Sequence, residues 1–194
     1  MDYLKFFQKI NKIAGTGILI ALLLVFQLIA NYITIGQVSI NLSLIPIVLG
    51  AIIYGPSIGF LLGLICGVLV ILSPSTLALF MPDFPIQTII ICLLKTSVAG
   101  AVAGFVFKLL KEKNFTLGII LSSIIVPLIN TGIFALAMMT LFQPLLEKLA
   151  DAQDSIEYLF LTFIGINFVV EFILNCVLTP TIISLAKLRL NKKN

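Results

Sequence analysis

Histidine is absent from this 194-residue sequence, and charged residues are scarce. Only 10% of the residues are charged and 60% are hydrophobic, whereas a soluble domain carries about 25% charged residues. Most of the protein surface is therefore expected to avoid water. The lack of histidine argues against a serine–histidine intramembrane protease, a zinc site, and the histidine-containing nickel or cobalt uptake proteins.

Catalytic and nucleotide-binding signatures are also missing. The chain has no G-x-x-x-x-G-K-[ST] phosphate loop, so it cannot hydrolyse ATP by that route. No membrane phosphatase or transferase signature is present, and we expect no enzymatic activity. The three cysteines, Cys66, Cys92 and Cys176, fall in apolar runs and are predicted to be buried thiols. The net charge of +4 does not indicate nucleic-acid binding, because the basic residues lie at the ends of apolar runs.

Continuous apolar runs of roughly 20 residues recur along the chain, the length that crosses a bilayer core. A helix satisfies its own backbone hydrogen bonds there, and an outer-membrane barrel would show short alternating segments instead. We predict an all-α integral membrane protein, one domain over 1–194 with six transmembrane helices. The second and third runs are short, and the sequence leaves open whether they are two spans or one re-entrant hairpin. The six predicted spans cover 13–32, 42–54, 58–72, 86–110, 117–142 and 156–187, the last starting after a capping box of Asp154 and Glu157.

Basic residues concentrate on one side of these spans. Ten lie in the terminal segments and the 108–113 turn, and only Lys148 lies in the opposite loops. Lysine and arginine accumulate on the cytoplasmic side of a membrane. Both termini are therefore predicted to be cytoplasmic, with the loops 32–40, 73–85 and 143–155 outside. The first 12 residues combine lysines with an apolar face, which favours a short helix on the inner leaflet over a frayed tail.

Small residues recur four apart on three predicted helices. Gly55, Gly59, Gly63 and Gly67 form one stripe, Ala99/Ala103 with Gly100/Gly104 a second, and Gly17 with Ala21 a third. Such stripes allow a second helix to approach closely. For the first two stripes we favour packing within the chain. For Gly17 and Ala21 an external partner helix is weighed equally.

Polar residues occur at membrane depth on three helices. Lys95 and Glu171 lie midway along their spans, Asn167 and Asn175 share a face with Glu171, and Asn130 and Thr131 follow Pro127. Charges at that depth cost at least ~2.5–3.5 kcal/mol on insertion scales, so they need a partner or a polar cavity. Two interpretations stay open. Lys95 pairs with Glu171 while the asparagines join helices, or the side chains line a cavity in which Lys95 attracts a carboxylate-bearing solute.

The sequence also resembles a known family, the substrate-binding subunits of energy-coupling factor (ECF) vitamin transporters. The resemblance covers nearly the whole chain and includes Gly17/Ala21 in the first helix. It rests on the order of three local patterns, the last two most similar to pantothenate-type members. These patterns are Asn41-Leu-Ser-Leu-Ile-Pro-Ile-Val with Gly55-Pro56 at the next turn, Leu94-Lys95 followed by Ala99-Gly100, and Pro127-Leu-Ile-Asn130-Thr131-Gly132-Ile-Phe134.

This resemblance implies a subunit that binds a vitamin near the outer face of a bacterial plasma membrane. It further implies a transmembrane coupling subunit and two cytoplasmic ATPase subunits, which use ATP while this chain needs no cofactor. In the family, two alanines four apart in helix 1 contact the coupling subunit, and here Gly17 replaces the first of them. The partner-binding residues are accordingly Gly17 and Ala21. The predicted substrate-binding residues are Gln37, Asn41, Lys95, Asn130, Thr131, Phe134, Asn167 and Glu171.

Three functions are weighed. The first is the binding subunit for pantothenate or a related precursor, or for another vitamin such as riboflavin, folate or pyridoxine. The second is a stand-alone transporter or channel for a small metabolite, dimeric through the Gly55–Gly67 stripe. The third is an assembly or structural membrane protein. The absence of a visible internal repeat weakens the second, because conventional transporters are often built from duplicated halves.

Overall fold

Long apolar helices dominate the computed structural model, which describes residues 2–32, 34–35, 38–39, 41–151 and 153–191. The four longest helices are α1 (Asp2–Ala30), α5 (Pro85–Leu110), α6 (Phe115–Thr140) and α9 (Gly165–Asn191). Four segments of the described chain are long and apolar enough to cross a membrane: Ile10–Ala30, Pro85–Leu110, Phe115–Thr140 and Ser155–Leu188. The first helix is continuous from Asp2, so the expectation of a separate interfacial helix at 1–12 is wrong.

Two shorter apolar helices lie between the first and second long ones, α1 and α5. They are α2 (Leu44–Tyr54) and α3 (Pro56–Ile71), roughly 16 and 24 Å long at 1.5 Å per residue, against a bilayer core of about 30 Å. Gly55, with φ of 96°, ends α2, and Pro56 begins α3. The φ value lies in the region that glycine adopts at little cost. The count of six complete spans stays a prediction.

The α2 helix forms the centre of the bundle. Nine consecutive residues, 44–52, are all buried, as expected for a helix that is apolar on every side. Helices α1, α3, α5, α6 and α9 all contact it. Its leading end, at Asn41 to Ser43, is thereby held among the helices that carry the predicted polar residues.

The first two small-residue stripes pack against each other between α3 and α5. A Cβ atom placed on Gly59 would contact the backbone of Gly100, and one placed on Gly67 would lie 2.6 Å from the carbonyl oxygen of Cys92. Gly104 similarly lies against Pro56. The preference for packing within the chain is therefore correct for both stripes. Because Pro56 begins α3, its contact with Gly104 also places the α2–α3 turn against the last turns of α5.

The three connections predicted as outer loops contain regular structure and form what we term the cap end. The 33–40 connection includes an antiparallel pair, β1 (Thr34–Ile35) and β2 (Val38–Ser39), with Thr34 opposite Ser39. The others contain α4 (Pro74–Leu79), α7 (Gln143–Ala150), α8 (Ser155–Glu157) and a π-helix (Tyr158–Phe163). Their prolines occupy first-turn positions, where no backbone N–H is needed. Proline at these positions is therefore compatible with short helices inside the predicted loops 73–85 and 143–155.

The last span is interrupted at its start. The side chain of Asp154 accepts hydrogen bonds from the N–H groups of Ile156 and Glu157, each 2.9 Å long, so the predicted cap is confirmed. The π-helix follows, and Ile164 N–H donates to the Leu159 carbonyl five residues earlier. The opposite, basic end of the bundle carries Lys108, Lys111 and Lys113 around the α5–α6 turn and Lys187 near the end of α9.

Candidate functional site

A cavity lies at the cap end, between the first halves of α5 and α9 and the second half of α6. The space between its walls is about 820 Å³ when the solvent in the open mouth is counted. Helix α4, the π-helix and the residues before α2 complete its walls. The lining residues are Gln27, Asn41, Val70, Ser75, Thr76, Phe80, Thr88, Ile91, Cys92, Lys95, Asn130, Thr131, Phe134, Phe142, Phe163, Ile164, Asn167, Phe168 and Glu171.

Lys95 supplies a cation to this cavity from the third turn of α5. Its ammonium group lies over the ring of Phe134, 4.5 Å from the centroid, within the range of a cation–π interaction. No ion pair joins Lys95 to Glu171 in the part of the chain that the structure describes. The pairing that sequence reasoning left open is therefore not formed, although both side chains line the same cavity.

Glu171 places a carboxylate on the facing wall. It is only 6% exposed, and its Oε1 accepts a 2.8 Å hydrogen bond from the backbone N–H of Asn41. This bond joins α9 to the chain just before α2. The side-chain Oδ1 of Asn41 accepts a weak bond from the Cys66 thiol at 3.8 Å, while its Nδ2 has no partner among the described residues.

Asn130 is one of five asparagines whose side chains carry a buried polar atom without a partner among the described residues. Its side chain is 4% exposed and makes no hydrogen bond to any residue in the described ranges. A buried polar group without a partner costs about 1–3 kcal/mol. Because Asn130 lines the cavity, its amide is placed to bond with something that enters it.

Phenylalanines form the apolar part of the wall. The ring of Phe134 stacks on Phe163 at 6.3 Å and meets Phe80 edge-on at 5.8 Å. Phe142 contacts Phe80 at 5.2 Å and also Phe84, which does not itself line the cavity, at 5.6 Å. This phenylalanine cluster joins α4, α5, α6 and the π-helix, and gives the cavity a surface for an apolar part of a ligand.

Seven of the eight predicted substrate-binding residues line this one cavity. Asn41, Lys95, Asn130, Thr131, Phe134, Asn167 and Glu171 all belong to it, and Gln37 lies outside the described residues. Asn167 also donates to the Phe163 carbonyl at 3.4 Å.

The hydrogen bonds that join helices come mostly from serine and threonine rather than from the asparagines. Ser43 Oγ donates to Gln27 Oε1 at 2.9 Å, Thr96 Oγ1 to the Gly63 carbonyl at 2.7 Å, and Ser122 Oγ to the Ala103 carbonyl at 2.9 Å. Among the cavity residues, Gln27 and Glu171 take part in such bonds, whereas Lys95, Asn130 and Thr131 form none with the described part of the chain. Their position therefore needs another explanation than helix–helix packing.

The predicted partner-binding residues lie elsewhere. Gly17 and Ala21 are exposed on α1, and a Cβ atom placed on Gly17 would meet nothing within 4 Å. Exposed Ile13, Ile18 and Leu28 continue the same apolar surface. This third stripe, unlike the other two, is not covered by the described part of the chain.

Sequence reasoning missed several wall residues. Gln27 was visible as a polar residue in the first span, and its separation from Asn41 gave no reason to join them. Thr88 lies in the first turn of α5, and its hydroxyl donates to the Phe84 carbonyl, a pattern common to many membrane helices. Phe134 was predicted from the family resemblance, but Phe80, Phe142 and Phe163 carry no signal in the sequence, because a phenylalanine that faces a cavity and one that faces lipid look alike there.

The sequence of the chain matches a known protein family. Residues 11–183 match the sequence family described as ECF transporter, substrate-specific component, and no characterised protein matches the chain directly. The match covers most of the 194 residues, and members of this family are transporter components rather than enzymes. The chain therefore belongs to the substrate-specific components of ECF transporters.

Proposed function

We propose that this chain is the subunit that captures a vitamin for an ECF uptake transporter, and that its substrate is pantothenate or a related precursor. The observation that carries the proposal is the amide of Asn130, which is buried in a polar cavity without a partner among the described residues. A binding site needs such convergent polar groups in an otherwise apolar pocket, and helix packing alone does not.

The chemical groups of pantothenate are complementary to the side chains that line the cavity. Its carboxylate suits the ammonium of Lys95, its amide and hydroxyl groups suit Asn130 and Glu171, and its dimethyl-bearing carbon suits the phenylalanine cluster. The substrate-binding residues predicted from the sequence thus fall into three chemical groups that one small amphipathic acid would use together.

The distribution of basic residues supports capture from outside. The basic end lies opposite the cavity, and lysine and arginine mark the cytoplasmic side. In this orientation both termini lie in the cytoplasm of a bacterial cell and the cavity lies near the outer face of its plasma membrane. The chain lacks a phosphate loop, and membership of the family supports two cytoplasmic ATPase subunits that use ATP and act on this chain through a transmembrane coupling subunit.

The open stripe of α1 is the proposed contact with the coupling subunit. Gly17 and Ala21 leave a shallow groove on a helix that otherwise presents large apolar side chains. By contrast, the Gly59–Gly67 stripe is covered by α5, so it does not support a stand-alone dimeric transporter.

Ligand binding tests the proposal. The purified protein in mild detergent is expected to retain or bind pantothenate, with riboflavin, folate and pyridoxine as competing candidates. Losing a hydrogen bond to a charged group costs ~1.5–3 kcal/mol, so Asn130→Ala and Lys95→Ala should each weaken binding roughly 10- to 100-fold.

Lys108→Ala, an exposed lysine on the same helix, is the matched control for Lys95→Ala and should bind normally. Unchanged affinity in both cavity variants would move the site elsewhere. Uptake by the isolated chain in ATP-free vesicles would contradict the role as a dependent subunit.

A further inference from the structure

We propose that Phe134 is a positioning residue that keeps Lys95 from pairing with Glu171, so that the cavity retains a cation for the carboxylate of its ligand. This inference rests on the proposed function, in which Lys95 binds a carboxylate. Phe134 acts through Lys95, and its role is separate from the contact that its ring makes with an apolar part of the ligand.

The ammonium group of Lys95 and the carboxylate of Glu171 would be expected to form an ion pair. Lys95 and Glu171 line the same space, and opposite charges attract strongly in surroundings of low dielectric constant. The lysine stem has four flexible carbons and gives the ammonium group a wide reach. Yet no ion pair connects them among the described residues, so each charge is held by something else.

The ring of Phe134 holds the ammonium group without neutralising it. A cation 4.5 Å from the ring centroid is attracted by the ring quadrupole, and the ring carries no net charge. An ammonium group has three N–H donors, and a ring covers one side of it. The remaining donors can meet a carboxylate from the cavity, whereas a Glu171 partner would already have satisfied the charge.

The Phe134 ring and the Glu171 carboxylate are each held in place by neighbouring groups. Phe163 stacks on Phe134 with an interplanar angle of 23°, and Phe80 meets it at 65°, so the ring cannot easily turn away from Lys95. On the facing wall the Asn41 N–H holds Oε1 of Glu171 at 2.8 Å. The cavity therefore keeps a separated cation and anion, and its preference for an anionic ligand depends on that separation.

A comparison of two ligands measures this preference. Pantothenol differs from pantothenate only in having an alcohol group in place of the carboxylate. The dissociation constant of pantothenol divided by that of pantothenate therefore reports how well Lys95 recognises the carboxylate. The wild-type protein should prefer pantothenate, and Phe134→Tyr should keep the preference because the ring remains. Phe134→Leu should reduce the ratio about tenfold, and Phe134→Met, which preserves more volume without a ring, should do the same if the leucine variant folds poorly.

A second substitution separates this role from packing. Phe134→Leu combined with Glu171→Gln should regain most of the preference, because glutamine can still accept from Asn41 but no longer pairs with Lys95. Phe84→Leu, in the same phenylalanine cluster but outside the cavity wall, should leave the ratio unchanged.

The outcomes distinguish the two proposals. A wild-type protein with no preference for pantothenate over pantothenol would overturn the binding of a carboxylate by Lys95. A wild-type preference that persists in Phe134→Leu and Phe134→Met would overturn the positioning role alone. Failure of Glu171→Gln to restore the preference in a folded double variant would also overturn it, because Glu171 would then not be the competing partner.

Discussion

Replacing Gly63 by alanine is expected to push α3 away from α5 and to lower the stability of the protein. A Cβ atom at this position would lie 2.5 Å from Cα of Ser97 and 2.6 Å from the carbonyl carbon of Thr96, and closer still to the Thr96 carbonyl oxygen. Carbon atoms in ordinary contact are about 3.5–4.0 Å apart. These neighbours are backbone atoms, so the helices must separate by roughly 1 Å.

The size of the effect follows from two contributions. Overpacking a close contact typically costs about 1–3 kcal/mol. Separation also stretches the 2.7 Å hydrogen bond from Thr96 Oγ1 to the Gly63 carbonyl, but the hydroxyl lies 2.9 Å from the Cys92 carbonyl as well and stays partly satisfied. The gain in helix propensity from glycine to alanine offsets up to about 1 kcal/mol. With overpacking near the middle of its range, the net loss is about 1 kcal/mol, which corresponds to roughly 2–4 °C in Tm for a chain of this size.

Thermal unfolding in detergent, measured side by side, tests this expectation. Gly132→Ala is the matched control, because Gly132 is exposed on a long helix and its added Cβ would meet nothing within 4 Å. That variant should unfold at the wild-type temperature or slightly above it. Equal unfolding temperatures for the two alanine variants would refute the close packing of α3 on α5.

Two further substitutions test other contacts. Gly17→Leu should leave ligand affinity unchanged and block uptake by the assembled transporter, because it fills the open groove of α1; loss of affinity in a binding assay would mean that this face packs within the chain. Glu171→Ala should destabilise the protein by about 1–3 kcal/mol, because the Asn41 N–H loses its acceptor, whereas Glu171→Gln keeps one; identical unfolding temperatures for the two variants would contradict the importance of that bond.

The long helices were predictable because each needs one continuous apolar run. The convergence of Lys95, Asn130 and Glu171 was also predictable, since charge and amide groups at membrane depth require a shared polar environment. The absence of a direct bond between Lys95 and Glu171 was not, because it depends on the phenylalanine ring under the ammonium group, and contacts between distant aromatic residues leave no periodic pattern.

The cap end was the least predictable region. Helices α4 and α7 are six and eight residues long, too short for a reliable periodic signal, and their prolines are equally frequent in turns. The π-helix at Tyr158–Phe163 shifts the side-chain register relative to an α-helix, which a period of 3.6 residues cannot anticipate. The three stripes of small residues are similar in sequence. Only the arrangement of the helices shows that the stripes of α3 and α5 cover each other while the stripe of α1 stays exposed.

Complete enclosure gives α2 an unusual relation to the bilayer. Because protein surrounds residues 44–52 on every side, lipid thickness determines neither the length of this helix nor which of its residues are apolar. Neighbouring side chains determine both, so there is no lipid-facing side on which volume can change freely. Systematic mutagenesis of α2 should therefore find uniform sensitivity along the helix, while α1, with one face against lipid, should tolerate changes with a helical period.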